Sequence, residues 1–363
     1  MRAFDYTTLP TGLLTARTMN LLSAIHEHRG RQVIQRSLKP DVLTALTEVA
    51  KAQSTDASNR IEGIRTSSDR LKAIMSESTV PRTRDEEEIA GYRDVLSTVH
   101  ANYQHLDVSP NVILQLHRDL YRHTPSSLGG RFKVGENEIR GVRPDGTEYV
   151  RFRPVPDIAT PDAMDRLCRA LHAGLASDAC DPLLVALMFI FDFTCVHPFN
   201  DGNGRMSRLL TVLLLYQQGY TVGRYISIEQ EIVRTKEAYY DALARSSVGW
   251  TAGRNDPAPF VHYMLGVILA AYRDLEQRIK GVSELGLSKA ERVEATIRDA
   301  LGKVTKADIL SVCPDISKVT VERALAALVR SGSVIKVGAG PATGYVWRGP
   351  SDATSARRAQ PDS

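Results

Sequence analysis

The stretch that decides the fold is His197-Pro198-Phe199-Asn200-Asp201-Gly202-Asn203-Gly204-Arg205-Met206-Ser207-Arg208. Apolar segments of helical length flank it on both sides. Polar, glycine-rich sequence between two apolar helices predicts a functional loop between buried elements. Pro198 biases His197 away from helical geometry, so the first helix should end there. The second helix should begin near Asn203.

The residue types of this loop predict an anion site. The free N–H groups and the positive dipole end at the start of the second helix favour phosphate. Gly202 and Gly204 let the backbone approach a ligand closely. Arg205 and Arg208 are three positions apart, so we expect two guanidiniums on one helix face that together hold a polyphosphate.

Two further residues of the loop predict chemistry on that anion. Asp201 is a hard oxygen ligand for the Mg²⁺ that accompanies a nucleoside triphosphate. His197 is suited to act as a general base near neutral pH. We expect Phe199 to anchor the loop in the core. The alternative is a buried helical hairpin whose arginines pair with local acids.

The twelve residues resemble, at every specified position, the signature of the Fic (filamentation-induced-by-cAMP) family, H-x-F-x-[DE]-G-N-G-R-x-x-R. The resemblance implies transfer of AMP from ATP to a Ser, Thr or Tyr hydroxyl of a protein, with release of pyrophosphate. It implies that Mg²⁺ on Asp201 bridges the α- and β-phosphates and that Arg205 and Arg208 hold the β- and γ-phosphates. Gly202, Asn203 and Gly204 would cradle the phosphates, and His197 would take the proton of the hydroxyl.

Two other functions stay open at this point. One is a different transferred group, such as UMP, phosphocholine or phosphate. Gly202 and Gly204 are intact, which argues against the phosphate-transferring branch. The other is a DNA-binding regulator whose Fic core senses a nucleotide.

An upstream motif resembles the [ST]-x-x-x-E-[GN] inhibitory motif of a large Fic subgroup. Ser58 and Glu62 are four residues apart, so a helix places them on one face. We expect a short inhibitory helix over residues 54–63, capped by Thr55 or Asp56 and ended by Gly63. In that subgroup the glutamate pairs with the second signature arginine, so the resemblance implies a pair of Glu62 with Arg208. A Ser-Glu pair on a solvated face is the alternative.

Two elements beside the loop resemble parts of Fic proteins. Asp145-Gly146 is a hairpin turn signal, and it predicts strands over 139–143 and 149–153. The resemblance implies that this flap, about 130–156, holds the target segment by adding a strand. An ordinary surface hairpin is equally consistent. Tyr239 or Tyr240, in a helix predicted over 229–244, resembles by position the adenine-stacking residue. A core aromatic pair is the alternative.

The sequence predicts a mainly helical protein of several parts. We expect an N-terminal helical region over 1–110, a Fic helical core over 111–280 and a small domain over 288–348. Three helices and a hairpin in that domain predict a winged helix-turn-helix. Its ten Lys and Arg against six Asp and Glu leave DNA binding and dimerisation equally open. Residues 349–363 are polar and predicted to be disordered.

Bulk properties exclude some classes. The net charge of +4 does not by itself imply nucleic acid. Four cysteines without a CxxC pair predict free thiols in a reducing cytosol. The first residues lack the apolar region of a signal peptide, and no apolar run is long enough to span a membrane. We therefore expect a cytoplasmic protein whose partners are ATP, a target protein and, through the small domain, DNA or a second copy of the chain.

Overall fold

The computed structural model describes residues 3–38, 40–125, 129–142, 146–283, 288–298, 300, 302–338 and 343–348. The chain divides into two compact units, one of Met1–Leu38 with Thr47–Tyr272 and the other of Lys39–Leu46 with Arg273–Ser363. Most described residues are helical and the sheets are small and antiparallel, which confirms the mainly helical class. No helix among the described residues is long and apolar enough to cross a membrane.

Besides four short 3₁₀ helices, the elements up to residue 283 are eleven α-helices and one hairpin among the described residues. They are α1 (Ala16–Leu38), α2 (Pro40–Ile61), α3 (Ser68–Met75), α4 (Arg84–Asn102), α5 (Pro110–Leu120), β1 (Ile139–Val142), β2 (Glu148–Phe152), α6 (Thr160–Ala176), α7 (Pro182–Val196), α8 (Asn203–Gln217), α9 (Ile228–Arg234), α10 (Lys236–Ser247) and α11 (Ala258–Ser283).

The helices α7 and α8 form the centre of the larger unit. The Asp181 side chain caps α7 by accepting a hydrogen bond from the N–H of Leu183, and Pro182 occupies the first helical position. Nearly all side chains of both helices are buried. The carboxylate of Asp192 is buried in this core, and it accepts hydrogen bonds from the Tyr6 hydroxyl and the Trp250 indole. Because α7 ends at Val196 and α8 begins at Asn203, the predicted loop boundaries are confirmed.

Two predicted helices have different bounds. The helix predicted over 54–63 is the last part of α2, because the Thr55 hydroxyl donates to the carbonyl of Lys51 instead of capping a new helix. Glu62 follows in a turn, and Gly63 has φ +86°. The single helix predicted over 229–244 is two helices, because Thr235 leaves helical geometry between α9 and α10.

The predicted flap is present as an antiparallel pair of strands. β1 and β2 lie within one residue of the predicted bounds, and Ile139 is paired with Phe152. The register shifts between Ile139 and Arg140. The predicted turn residues 143–145 lie outside the described residues.

The smaller unit contains α12 (Lys289–Arg298), β3 (Val304–Thr305), α13 (Lys306–Val312), α14 (Lys318–Arg330), β4 (Val334–Val337) and β5 (Gly344–Trp347). Its three strands form an antiparallel sheet in the order β3-β5-β4. The three helices and the hairpin lie where the sequence predicts them, while β3 was not predicted. Its assignment as a winged helix that binds DNA or dimerises stays a prediction. Residues 339–342 between β4 and β5 lie outside the described residues, and so does the whole tail predicted over 349–363.

A glycine in α4 gives a test of how closely α4 and α5 pack. A Cβ atom added at Gly91 would overlap the carbonyl oxygen of Leu120. Because backbone cannot yield as a side chain can, we expect Gly91→Ala to lower the free energy of unfolding by about 2 kcal/mol or more. Gly266→Ala in α11 is the matched control, since a Cβ atom there has open space. The control should be neutral or stabilising by up to about 1 kcal/mol. Urea unfolding measures both, and equal stability of the two variants would contradict the packing.

Candidate active site in the α7–α8 loop

The loop between α7 and α8 is fixed by its own side chains. The N–H of Phe199 donates to Oδ1 of Asn203 over 2.9 Å, and Nδ2 of Asn203 donates to the carbonyl of Phe199 over 2.8 Å. The Phe199 ring is fully buried, which confirms that it anchors the loop. Gly202 has φ +81° and precedes the first turn of α8, and a side chain there would also meet Tyr121. The N–H groups at the start of α8 therefore lie at the end of a rigid loop.

The conformation of His197 determines what its imidazole can do. Its backbone is left-handed, at φ 51° and ψ 60°, which is uncommon for a residue with a Cβ atom. Its Nδ1 atom lies 3.3 Å from the carbonyl oxygen of Thr194. Because a carbonyl only accepts, Nδ1 carries the proton in the neutral ring. The Nε2 atom is therefore left with its lone pair, as a general base requires.

The cavity beside the loop brings most of the predicted site residues together. Its lining includes five of them from the turn after α2, the loop and the first turns of α8, and these are Glu62, His197, Asn203, Gly204 and Arg208. Tyr239 and Tyr240 of α10 line the same cavity, with ring centroids 5.5 Å apart. The flap contributes Ile139, Arg151 and Phe152.

Arg208 is the buried cation of this cavity, and two residues of the predicted inhibitory motif hold it. Its Nε donates to the Ser58 hydroxyl over 2.8 Å, and one Nη donates to the Ser58 carbonyl over 2.9 Å. The same Nη lies 2.7 Å from Oε1 of Glu62. Burial acts to lower the pKa of Arg208, but Glu62 together with Tyr239 and Tyr92 outweighs it, so the pKa is raised. The guanidinium is thus charged and already paired with a carboxylate.

The Glu62 carboxylate also lies against the start of α8. A Cβ atom added at Gly204 would overlap its Oε1. The ammonium group of Lys236 in α10 donates to the carbonyl of Ile61 over 3.0 Å, which holds the end of α2 beside α10. Glu62 therefore occupies the space next to both Arg208 and Gly204 in the first turn of α8.

Arg205 does not share the cavity with Arg208, contrary to the prediction that both face the ligand. Its side chain is 1% exposed and lies 2.5 Å from Glu88 of α4. The Arg205 guanidinium also donates to the Tyr121 hydroxyl. The spacing of three correctly places both arginines on α8, but the buried Glu88 draws Arg205 to the other side. Its position is that of a residue that supports the loop.

Asp201 lies beside Arg205 and outside the cavity lining. One of its oxygens accepts a hydrogen bond from the N–H of Gly202, and the other lies 3.3 Å from a guanidinium nitrogen of Arg84. Arg84 also pairs with Glu88, so two carboxylates and two guanidiniums alternate in a closed ring. No group of three or more metal-ligating side chains exists among the described residues. The half-exposed Asp201 carboxylate fits the single carboxylate that Mg²⁺ uses when phosphates supply its other ligands.

Sequence reasoning missed two groups that hold the loop. The His117 ring stacks on Phe199 with centroids 3.7 Å apart, accepts a hydrogen bond from the N–H of Gly130 and donates to the carbonyl of Asp201. The segment 133–137 bonds to the loop through Lys133, Asn137 and the backbone of residue 134. A lone histidine and a lone lysine outside any motif carry no signal of such roles. For Lys133, the one indication in the sequence is its place near the glycine pair 129–130.

These features define a helical protein in which the loop between two buried helices brings a histidine, the start of a helix and a glutamate-paired arginine to one cavity. The sequence model of the Fic/DOC family matches residues 107–215. The chain therefore carries a Fic domain over these residues.

The chain is 29% identical over 214 residues to the protein adenylyltransferase Fic of Drosophila melanogaster, a match that covers 57% of the chain and 39% of that relative. It is 26% identical over 273 residues to the protein adenylyltransferase fic-1 of Caenorhabditis briggsae, covering 69% of the chain and 48% of that relative. The chain thus spans less than half the length of both relatives.

Solved structures share the fold. A Fic family protein from Desulfovibrio desulfuricans G20 superposes with a TM-score of 0.60 at 21% identity, over 95% of this chain and 99% of that one. Fic-1 from C. elegans superposes with a TM-score of 0.53 at 20% identity, over 75% of this chain and 76% of that one. At this identity the likeness confirms the fold alone.

The surroundings of His197 predict an unusual titration. Burial, helped by the charges of Lys133 and Arg151 and opposed by Thr194 and Glu62, lowers the pKa of its imidazole to about 4. We expect the ring to stay neutral as the pH falls from 8 to about 5. NMR of ring-labelled histidine measures this, with His197→Ala to assign the signal. A midpoint near 6.5, the ordinary value, would contradict the described environment.

Proposed function

We propose that this protein is an autoinhibited adenylyltransferase that transfers AMP from ATP to a Ser, Thr or Tyr hydroxyl of a protein, itself included. The observation that carries the proposal is that His197, the N-terminus of α8 and Arg208 line one cavity, with Glu62 paired to Arg208. The name of the relatives, protein adenylyltransferase, supports the same reaction.

The proposed reaction uses each group in a single role. His197 accepts the proton of the target hydroxyl at Nε2. The hydroxyl oxygen bonds to the α-phosphorus while the bond to the bridging oxygen breaks, and pyrophosphate leaves. The N–H groups at the start of α8 and the Arg208 guanidinium stabilise the charge of the phosphates, which is the main contribution of a protein to phosphoryl chemistry. Asp201 would hold Mg²⁺, which supplies charge neutralisation on the phosphates when bound.

The base supports this reaction through its protonation state. A neutral imidazole is needed to accept the proton, and the lowered pKa of His197 keeps it neutral at physiological pH. The flap supports it through position, since Ile139 of β1 and Phe152 of β2 line the cavity. We propose that the target segment adds a strand to the flap, which places its hydroxyl near His197. Tyr239 and Tyr240 offer aromatic faces to the adenine.

The proposed inhibition is competition for one guanidinium. One Nη of Arg208 donates to the Glu62 carboxylate, and a γ-phosphate would compete with that carboxylate for the same guanidinium. Ser58 fixes the guanidinium from the other side, so Arg208 cannot turn to serve both. ATP that binds beside Glu62 would then be held in a pose unsuited to transfer.

Removing the inhibitory carboxylate tests this function directly. We expect Glu62→Gly to raise self-labelling with isotope-labelled ATP by about 10-fold or more, since a hydrogen bond to a charged group contributes about 1.5–3 kcal/mol. Asp56→Ala is the matched control, because Asp56 lies on α2, the helix that precedes Glu62, but pairs with Arg60. Mass spectrometry of the adduct identifies the transferred group. An unchanged rate, or an adduct other than AMP, would refute the corresponding part of the proposal.

Replacing the base tests its role. In the Glu62→Gly background, we expect His197→Ala to lower transfer by about 100-fold or more while calorimetry shows nucleotide binding retained. His172→Ala is the control, since this exposed histidine pairs with Asp107 away from the loop. Labelling that persists in the His197 variant would remove the assigned role.

A further inference from the structure

Lys133 lies buried beneath the loop and reaches both peptide groups that flank the proposed base. Its side chain is 3% exposed. The ammonium group donates to the carbonyl of Val196 over 3.1 Å, to the carbonyl of His197 over 3.0 Å and to Oδ1 of Asn137 over 2.9 Å. An ammonium has three N–H donors, and these three acceptors use all of them.

All three acceptors are uncharged, which sets Lys133 apart from an ordinary ion pair. Val196 and His197 stand at the C-terminal end of α7, where carbonyl groups lack intrahelical partners and the helix dipole is negative. A cation is favoured at such an end. Burial nevertheless lowers the pKa of Lys133 to about 8, against the opposing charge of Asp157.

The peptide groups that Lys133 holds are the ones that give His197 its direction. A left-handed helix end is usually formed by glycine, because a Cβ atom is strained there. Here the residue in that conformation carries the imidazole that lines the cavity. A C-terminal cap must therefore come from elsewhere, and the Lys133 ammonium is placed to supply it.

We propose that Lys133 is a positioning residue whose ammonium group holds the left-handed turn at His197, so that the imidazole faces the cavity. The role rests on the proposed function only in that His197 is the base of that reaction. Lys133 lies before the first strand of the flap, in a part of the chain that the loop signature does not include.

The surrounding contacts separate this role from general support of the fold. The backbone N–H of Lys133 donates to the carbonyl of Pro198, and the amide of Asn137 donates to the carbonyl of Phe199. The side chain of Asn200 exchanges two hydrogen bonds with the backbone of Val134. These bonds hold the segment 133–137 on the loop without the ammonium group, so its removal should affect chiefly the turn at His197.

Two other titratable groups act together with Lys133. Asp157 accepts a hydrogen bond from the N–H of Gly135 and acts to raise the pKa of Lys133. His197 faces Lys133 from the loop, and the charge of Lys133 acts to lower the pKa of His197. Loss of the ammonium charge should therefore raise the pKa of His197, in addition to loosening the turn.

The kinetic test compares Lys133→Met with Lys133→Arg, both in the Glu62→Gly background. The control in the same background is Lys306→Met, because Lys306 pairs with Glu322 in the smaller unit. We expect Lys133→Met to lower kcat for AMP transfer by about 10- to 100-fold, because a small misplacement of a reacting group has this effect. The KM for ATP should stay within about 2-fold. Lys133→Arg should retain transfer, because a guanidinium keeps both charge and donors.

The pH dependence gives a second readout. With lysine at 133, transfer should fall as the pH rises through about 8, because the ammonium loses its proton. With Lys133→Arg this alkaline decline should disappear, since arginine stays charged. This comparison also serves if Lys133→Met fails to fold, and an unchanged alkaline decline in the arginine variant would overturn the proposal.

NMR titration of His197 tests the proposal without a measurement of transfer activity. We expect the His197 pKa to be higher in Lys133→Met than in the parent protein. An unchanged kcat together with an unchanged His197 titration would overturn the inference, and so would equal losses of kcat and nucleotide binding. If the parent Glu62→Gly protein shows no transfer while the His197 titration shifts, the proposed function fails and the role of Lys133 stands.

Discussion

The ion pair between Arg208 and Glu62 is the interaction on which the site depends. A guanidinium that is almost wholly buried needs an anion, because an unpaired buried charge is strongly destabilising. Without a ligand that anion is Glu62, which lies 2.7 Å away. In the proposed function, the same requirement would make the site receptive to phosphate once the carboxylate is displaced. One buried charge would then give the cavity both its affinity for an anion and its means of control.

The loop around this pair is rigid, whereas the control element is held by few contacts. Asn203, the buried Phe199 ring and the stacked His117 fix the path of the backbone between α7 and α8. Glu62, in contrast, stands in a turn after α2 and is about one-third exposed. A preorganised site needs the first property, and a reversible inhibitor needs the second. In the proposed function, regulation would then act through the end of α2 without disturbing His197.

The boundaries of the loop could be predicted because local effects determine them. Pro198 ends α7 and Gly202 allows the turn before α8, and both effects act on neighbouring residues. The direction of Arg205 could not be predicted, since it depends on Glu88, which is distant in the sequence and buried beside it only in the fold. Lys133 was missed for the same reason. The separate helix predicted over 54–63 was wrong, since these residues up to Ile61 are the end of α2. A Thr hydroxyl can cap a new helix or bond back within one, and the sequence does not show which.

The central claim is that Glu62 keeps Arg208 from the terminal phosphate of a nucleotide. The most direct measurement is calorimetry of ADP and of a non-hydrolysable ATP analogue, with the wild-type protein and with Glu62→Gln. In the wild type the two ligands should bind with similar affinity, because the third phosphate finds Arg208 occupied. In the variant the ATP analogue should bind about 10-fold more tightly than ADP, as a charge-assisted contact of about 1.4 kcal/mol implies. The same affinity ratio in both proteins would contradict the claim.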